Sequence, residues 1–288
     1  MVHGFVLFPH TAMAAPETPT TAAQEFMAQG WSAWQRGAFE EAVRAWLAAA
    51  QRYEQAHQPR AQSDALTQLA HAYQALGQYR KAVQNLSSAL ALAQKTEDRA
   101  QAATVLKGLG GYYFVTGSLD AAQQALQEGV RLAREINHVA LIAALLNDLG
   151  NVFTSQSRYA EALEAYEESV RVATQNHDPA LAVRALTNAA MASMQQGQYE
   201  AARTRLDLAW AQMQDVPPSH DKAYSFINIG LAYASLSAWL SKDETQLTLR
   251  AAAAFNAAAH LARTINDQRA LSLCPGASGR TLRGRGTL

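Results

Sequence analysis

The sequence predicts an all-α protein assembled from copies of one two-helix unit, and three observations carry that reading. Alanine, the best helix former, accounts for roughly one residue in five. No stretch alternates apolar and polar residues as a half-buried strand would. A short signature returns every 40 residues: Gly37-Ala38-Phe39, Gly77-Gln78-Tyr79, Gly117-Ser118-Leu119, Ser157-Arg158-Tyr159 and Gly197-Gln198-Tyr199. Self-similarity at such a period marks a repeat array, whose units bury their apolar faces only against one another.

The elements follow in a fixed order within each unit. A first helix, A, is marked by Leu69-Ala70, Leu109-Gly110, Leu149-Gly150, Ala189-Ala190 and Ile229-Gly230. Its end falls at the glycine signature, because glycine adopts the left-handed conformation that closes a helix without a Cβ penalty. A second helix, B, carries Ala42, Ala82, Ala122, Ala162 and Ala202, followed four residues on by Trp46, Leu86, Leu126, Tyr166 and Leu206. The small residues let neighbouring helices approach, and the large ones fill the gaps between them. Ala162→Leu is therefore expected to overpack the seam at a cost of about 1–3 kcal/mol. Pro59, Pro179, Pro217 and Pro218 fall in the turns between units, where proline breaks no helix. Six units are placed near Ala23, Ser63, Ala103, Ala143, Val183 and Ala223, spanning 21–265. The sixth is irregular: Ser237 to Thr245 is inserted before Ala251, Phe255 and Ala258 restore the helix B pattern.

These positions resemble the tetratricopeptide repeat, with large residues at positions 4, 7, 11, 17 and 24 and small ones at 8, 20 and 27. The usual unit has about 34 residues; the longer unit here is similar to those of kinesin light chains and of many bacterial interaction proteins. The resemblance covers Ala23 to Ile265 and implies a right-handed superhelical solenoid of about six repeats. It also implies a concave groove, lined by helix A positions 2, 5, 6, 9 and 12, that takes extended peptides or partner helices. Carried over by register, the groove holds Lys107, Phe114, Asn147, Asp148, Asn151, Arg184, Asn188, Met191, Tyr224 and Asn228. Side-chain amides suit this task because each offers donors and an acceptor to an extended backbone. Arg184 suits a carboxylate, held by two parallel contacts.

The repeats that clamp chaperone C-terminal carboxylates require a particular set of Lys, Asn and Arg that this chain does not supply. In one register Lys107 fits, but Gly111, Asp148 and Asn188 replace the needed Asn, Asn and Arg. In the next, Asn147, Tyr224 and Asn228 depart. Trp31 and Trp34 are read either as an apolar entrance to the groove or as a cap on the first unit's core.

Both ends leave the pattern. Residues 1–20 read as the remnant of a secretory signal, with Ala12-Met13-Ala14 before a cleavage point and the start shortened, or as a disordered tail. The first reading places the protein in the periplasm or outside the cell, the second in the cytoplasm. Residues 266–288 read as an irregular tail. Back-translated with permissible codons and moved by one base, Leu273 to Gly279 become Tyr-Ala-Leu-Gly-His-Leu-Gly. That string is similar to Leu106–Gly110, so the gene is expected to continue into a seventh unit in another frame.

Charge and motif content narrow the function. The 288 residues carry 24 basic and 24 acidic side chains, a balance that argues against a nucleic-acid or anionic-membrane surface. The single cysteine, Cys274, excludes a disulfide framework, and no apolar run is long enough to span a bilayer. His57, His138 and His177 lie one repeat apart in successive turns and are read as turn and cap residues rather than metal ligands. Gly108-Leu109-Gly110-Gly111 sits inside a helix with no strand before it, which excludes a phosphate loop. No catalytic residue, cofactor or metal is expected. The expected function is a non-enzymatic scaffold that binds a protein or peptide in its groove. Two alternatives stand beside it: the regulatory N-terminal part of a bacterial CHAT (caspase-like) peptidase, whose arrays look similar, and a cytosolic peptide-sensing regulator.

Overall fold

A computed structural model describes residues 19–214, 216–240 and 242–275. The stretch 1–18 and positions 276–288 of the tail lie outside the described residues, and with them the cleavage point and most of the frame-shifted segment.

Two compact units divide at Thr96 and Glu97. The first holds α1 (Pro19–Gln35), α2 (Phe39–Gln55), α3 (Pro59–Ala75) and α4 (Tyr79–Lys95). The second holds α5 (Arg99–Val115), α6 (Leu119–Glu135), α7 (Val139–Ser155), α8 (Tyr159–Gln175), α9 (Pro179–Gln195), α10 (Tyr199–Gln214), α11 (His220–Ser237), α12 (Glu244–Thr264) and α13 (Gln268–Leu273). Odd-numbered helices up to α11 are A helices, and each packs on the B helix that follows it. In the second unit the A helices also touch one another, α5 on α7, α7 on α9 and α9 on α11.

The regularity of this order comes from its turns. Gly37, Gly77, Gly117 and Gly197 close the A helices with φ between 70° and 78°, as expected. The turns between repeats are closed in the same left-handed way without glycine, by His57, Glu97, Asn137 and His177, each with φ near 53°. Ser157 takes the glycine's place in the fourth repeat with φ 59°. The amide after the left-handed residue reaches back five residues, as Ala38 N–H to Ala33 O and Asp178 N–H to Ala173 O, each at 2.9 Å. These bonds satisfy carbonyls that a helix end otherwise leaves open. His138 instead caps α7, its Nδ1 accepting from Leu141 N–H at 3.3 Å, while Pro59 and Pro179 start α3 and α9 at the position that needs no donor.

Helices A and B of a repeat meet where a small residue on A faces a large one on B. A Cβ on Gly150 would sit 2.5 Å from the Tyr166 ring, one on Gly110 2.5 Å from Leu126, and one on Gly230 2.8 Å from the Phe255 ring. In the first unit Gly30 faces Trp46 in the same way. Trp31 meets the Trp46 ring edge-on at 5.4 Å and Trp34 lies 6.0 Å from it, so both tryptophans cap the core of the first repeat.

The insertion in the sixth repeat is held by the helix before it. Trp239 stacks on Tyr199 with centroids 5.4 Å apart and planes 10° from parallel, and Arg203 pairs with Asp243 at 2.9 Å. At the end of the array, Gln268–Leu273 is helical where an irregular tail was expected. Asn266 is left-handed with φ 57°, Asp267 caps the helix by accepting from Ala270 N–H, and Cys274 is buried. A left-handed residue, a cap and a helix start thus follow one another here in the same order as at the earlier inter-repeat turns.

Candidate functional site

The A helices of the second unit position the site. A helix puts every third or fourth residue on one side, so positions 184, 187, 188 and 191 of α9 share a face, as do 221, 224, 225, 228 and 231 of α11. These two faces border a groove of about 700 Å³, to which Ala140 and Ala144 of α7 also contribute. Arg184, Asn188, Met191, Tyr224 and Asn228 all line it.

The remaining expected residues have other roles. Asn147 is only 1% exposed, so the expectation that it offers a free amide is corrected: its side chain is spent inside the protein. Its Oδ1 accepts from Asn188 Nδ2 at 3.0 Å, and its own Nδ2 donates to Asp148 Oδ1 at 3.2 Å. Asn151 Oδ1 accepts from Asn188 Nδ2 at 3.2 Å and from the Tyr166 hydroxyl at 2.7 Å. Lys107 pairs with Asp148 at 3.5 Å. Phe114 is half-buried against the core of α5 to α9. Thus α5, α7 and α9 are joined by one chain of polar contacts running beside the groove.

That chain fixes the orientation of Asn188. Both hydrogens of its Nδ2 go to oxygens, Asn147 Oδ1, placed by that residue's own Nδ2 donating to Asp148, and Asn151 Oδ1, which also accepts from the Tyr166 hydroxyl, so the carboxamide cannot flip without losing two bonds. Its Oδ1 accepts no hydrogen bond among the described residues. Tyr166, which anchors the far end, has its phenol pushed up to about 12, first by burial and further by the Asp148 charge.

Sequence reasoning missed Leu231, which is 51% exposed and lines the same groove as Met191, itself 39% exposed. The register held the signal, since Leu231 occupies position 9 of its repeat as Met191 does of the preceding one. It also missed Asp178 and Asp221, at the end of the groove where α9 and α11 begin. Arg184 is exposed and, among the described residues, has no ion pair or side-chain hydrogen bond. None of the described helices is long and apolar enough to cross a membrane.

The groove can therefore offer a cation, an oriented carbonyl oxygen, a free carboxamide at Asn228 and two exposed apolar side chains over a length of two helical turns.

Comparison with known proteins agrees with the geometry. Models of the tetratricopeptide repeat match residues 61–135, 101–175 and 140–217, together covering 61–217. A model described as anaphase-promoting complex subunit 5 matches 186–276. No curated protein matches. Among solved structures, the apo form of RapI is similar with a TM-score of 0.68 at 14% identity, covering 85% of this chain and 86% of RapI. A Rap protein complexed with competence and sporulation factor gives 0.63 at 17%, covering 88% and 73%. BtubC from P. vanneervenii gives 0.60 at 19%, covering 91% and 97%. At these identities the likeness is one of fold. The array of A and B helices, its small-against-large seams and the matched models lead to one conclusion: this chain belongs to the tetratricopeptide repeat family.

Proposed function

We propose that the protein is a non-enzymatic scaffold that binds a segment of another polypeptide in the groove between α9 and α11. The observation that carries this reading is the exposure of Met191 and Leu231 beside Arg184 and Asn228 in one groove. Exposed apolar side chains gain when a ligand covers them, and the polar groups beside them can orient that ligand. The fold likeness to a Rap protein holding competence and sporulation factor supports the same class of role. On the CHAT resemblance the array would serve an enzyme in the same chain, and the groove would still be the part that senses a ligand.

The test is selection of random linear peptides displayed on phage against the purified protein. Enriched peptides are expected to bind about tenfold more weakly to Asn228→Ala or Tyr224→Ala, as truncation of a central contact produces. Enriched peptides whose binding neither substitution changes would place the site elsewhere.

A further inference from the structure

The groove has a polarity along its length, and it narrows the class of segment that fits. Arg184 lies toward the start of α9 and Met191 toward its end, and Leu231 lines the same groove from the equivalent position of α11. Met191 lies seven positions after Arg184, about 10 Å along the axis. Asn188 and Asn228 lie between them.

The charge at the Arg184 end needs an account, because Asp178 and Asp221 line the same groove. Asp178 caps α9, its Oδ1 accepting from Leu181 N–H at 3.0 Å. Asp221 stands in the first turn of α11. Both carboxylates thus sit at helix N-termini, where the backbone dipole offsets negative charge. The cation of Arg184 has no such counterpart among the described residues.

Resting on the groove reading above, we propose that the ligand is an extended peptide segment carrying an acidic side chain and a bulky apolar side chain three residues apart. The acidic group meets Arg184, and the apolar one lies between Met191 and Leu231. In an extended left-handed chain of three residues per turn, such side chains share one side about 9 Å apart, which matches the span of the groove. Between them the peptide backbone donates an N–H to Asn188 Oδ1 and accepts at a carbonyl from Asn228 Nδ2. The polar chain through Asn147 and Asn151 holds Asn188 ready for this contact.

The experiment uses the same peptide selection, read for sequence. Enriched peptides are expected to carry Asp or Glu three positions from Leu, Met or Phe, and replacing that acid by Ala is expected to weaken binding about tenfold. Selection against Arg184→Glu is expected to replace the acid by Lys or Arg while keeping the apolar position. Leu231→Asp is expected to abolish the apolar preference. Both substituted side chains are exposed, and circular dichroism confirms that the variants remain folded. Peptides that need Asn228 but lack the acidic and apolar pair, or that Arg184→Glu leaves unchanged, overturn this proposal while the groove reading stands. A selection that enriches no peptide overturns both.

Discussion

Gly150 of α7 has the ring of Tyr166 of α8 directly against its Cα, so that a Cβ there would lie 2.5 Å from the ring. The relation is reciprocal across the array. Where helix B carries Trp46, Tyr166 or Phe255, helix A carries Gly30, Gly150 or Gly230; where it carries Leu86 or Leu206, helix A carries Ala70 or Ala190, while Leu126 of the third repeat also faces a glycine, Gly110. Gly150→Ala is expected to destabilise the protein by about 1–3 kcal/mol through overpacking. Adding Tyr166→Leu should recover part of that loss, because it converts the fourth repeat to the Ala and Leu pairing of the second and fifth. Urea unfolding of the two variants measures it, and a double variant no more stable than Gly150→Ala would contradict the seam account.

Ser157 occupies the left-handed position that glycine holds in the intra-repeat turns of the first, second, third and fifth repeats. Ser157→Gly should stabilise the fold by about 0.5–1 kcal/mol, after the greater freedom of glycine in the unfolded chain is subtracted. A rise in the thermal midpoint checks this.

Much of the fold was legible in the sequence because its cause is local and periodic. Glycines at fixed spacing and the alternation of small and large residues between helices A and B are visible in the chain itself. The inter-repeat turns were not legible as left-handed, because His57, Glu97, Asn137 and His177 pay a modest backbone cost that leaves no compositional trace. The onset of α13 was hidden for a related reason: Pro275 and Gly276 follow Cys274 so closely that the six-residue helix shows no period. In the site, register puts Arg184, Asn188, Met191, Tyr224 and Asn228 on one side, and they line one groove. It did not show that Asn147 and Asn151 bond Asn188, since a pairing between helices depends on their relative rotation as well as on repeat position.

That pairing makes Asn188 and Asn228 unequal. Asn188→Ala removes the donor to buried Asn147 Oδ1 and should cost about 1–3 kcal/mol in stability. Asn228 is exposed, and Asn228→Ala should change stability by less than about 0.5 kcal/mol. Chemical denaturation of both variants distinguishes the internal role from the ligand-facing one.

Tyr166 supplies a pH dependence. Burial pushes its phenol up to about 12 from 10.0, so the folded state disfavours the phenolate. Its contribution to stability is fully present below about pH 10 and is lost as pH rises toward 12. The urea midpoint should fall across that window, and Tyr166→Phe should flatten the fall. An equal fall in the variant would show that other groups cause it.

The binding face itself is tested most directly by methyl NMR of the protein with a selected peptide. Signals from Met191 and Leu231 should shift on binding, while those of Leu208 and Leu249, exposed at 46% and 65% on the B helices α10 and α12, should stay in place. Shifts confined to Leu208 and Leu249, with Met191 and Leu231 unmoved, would contradict a peptide-binding groove between α9 and α11.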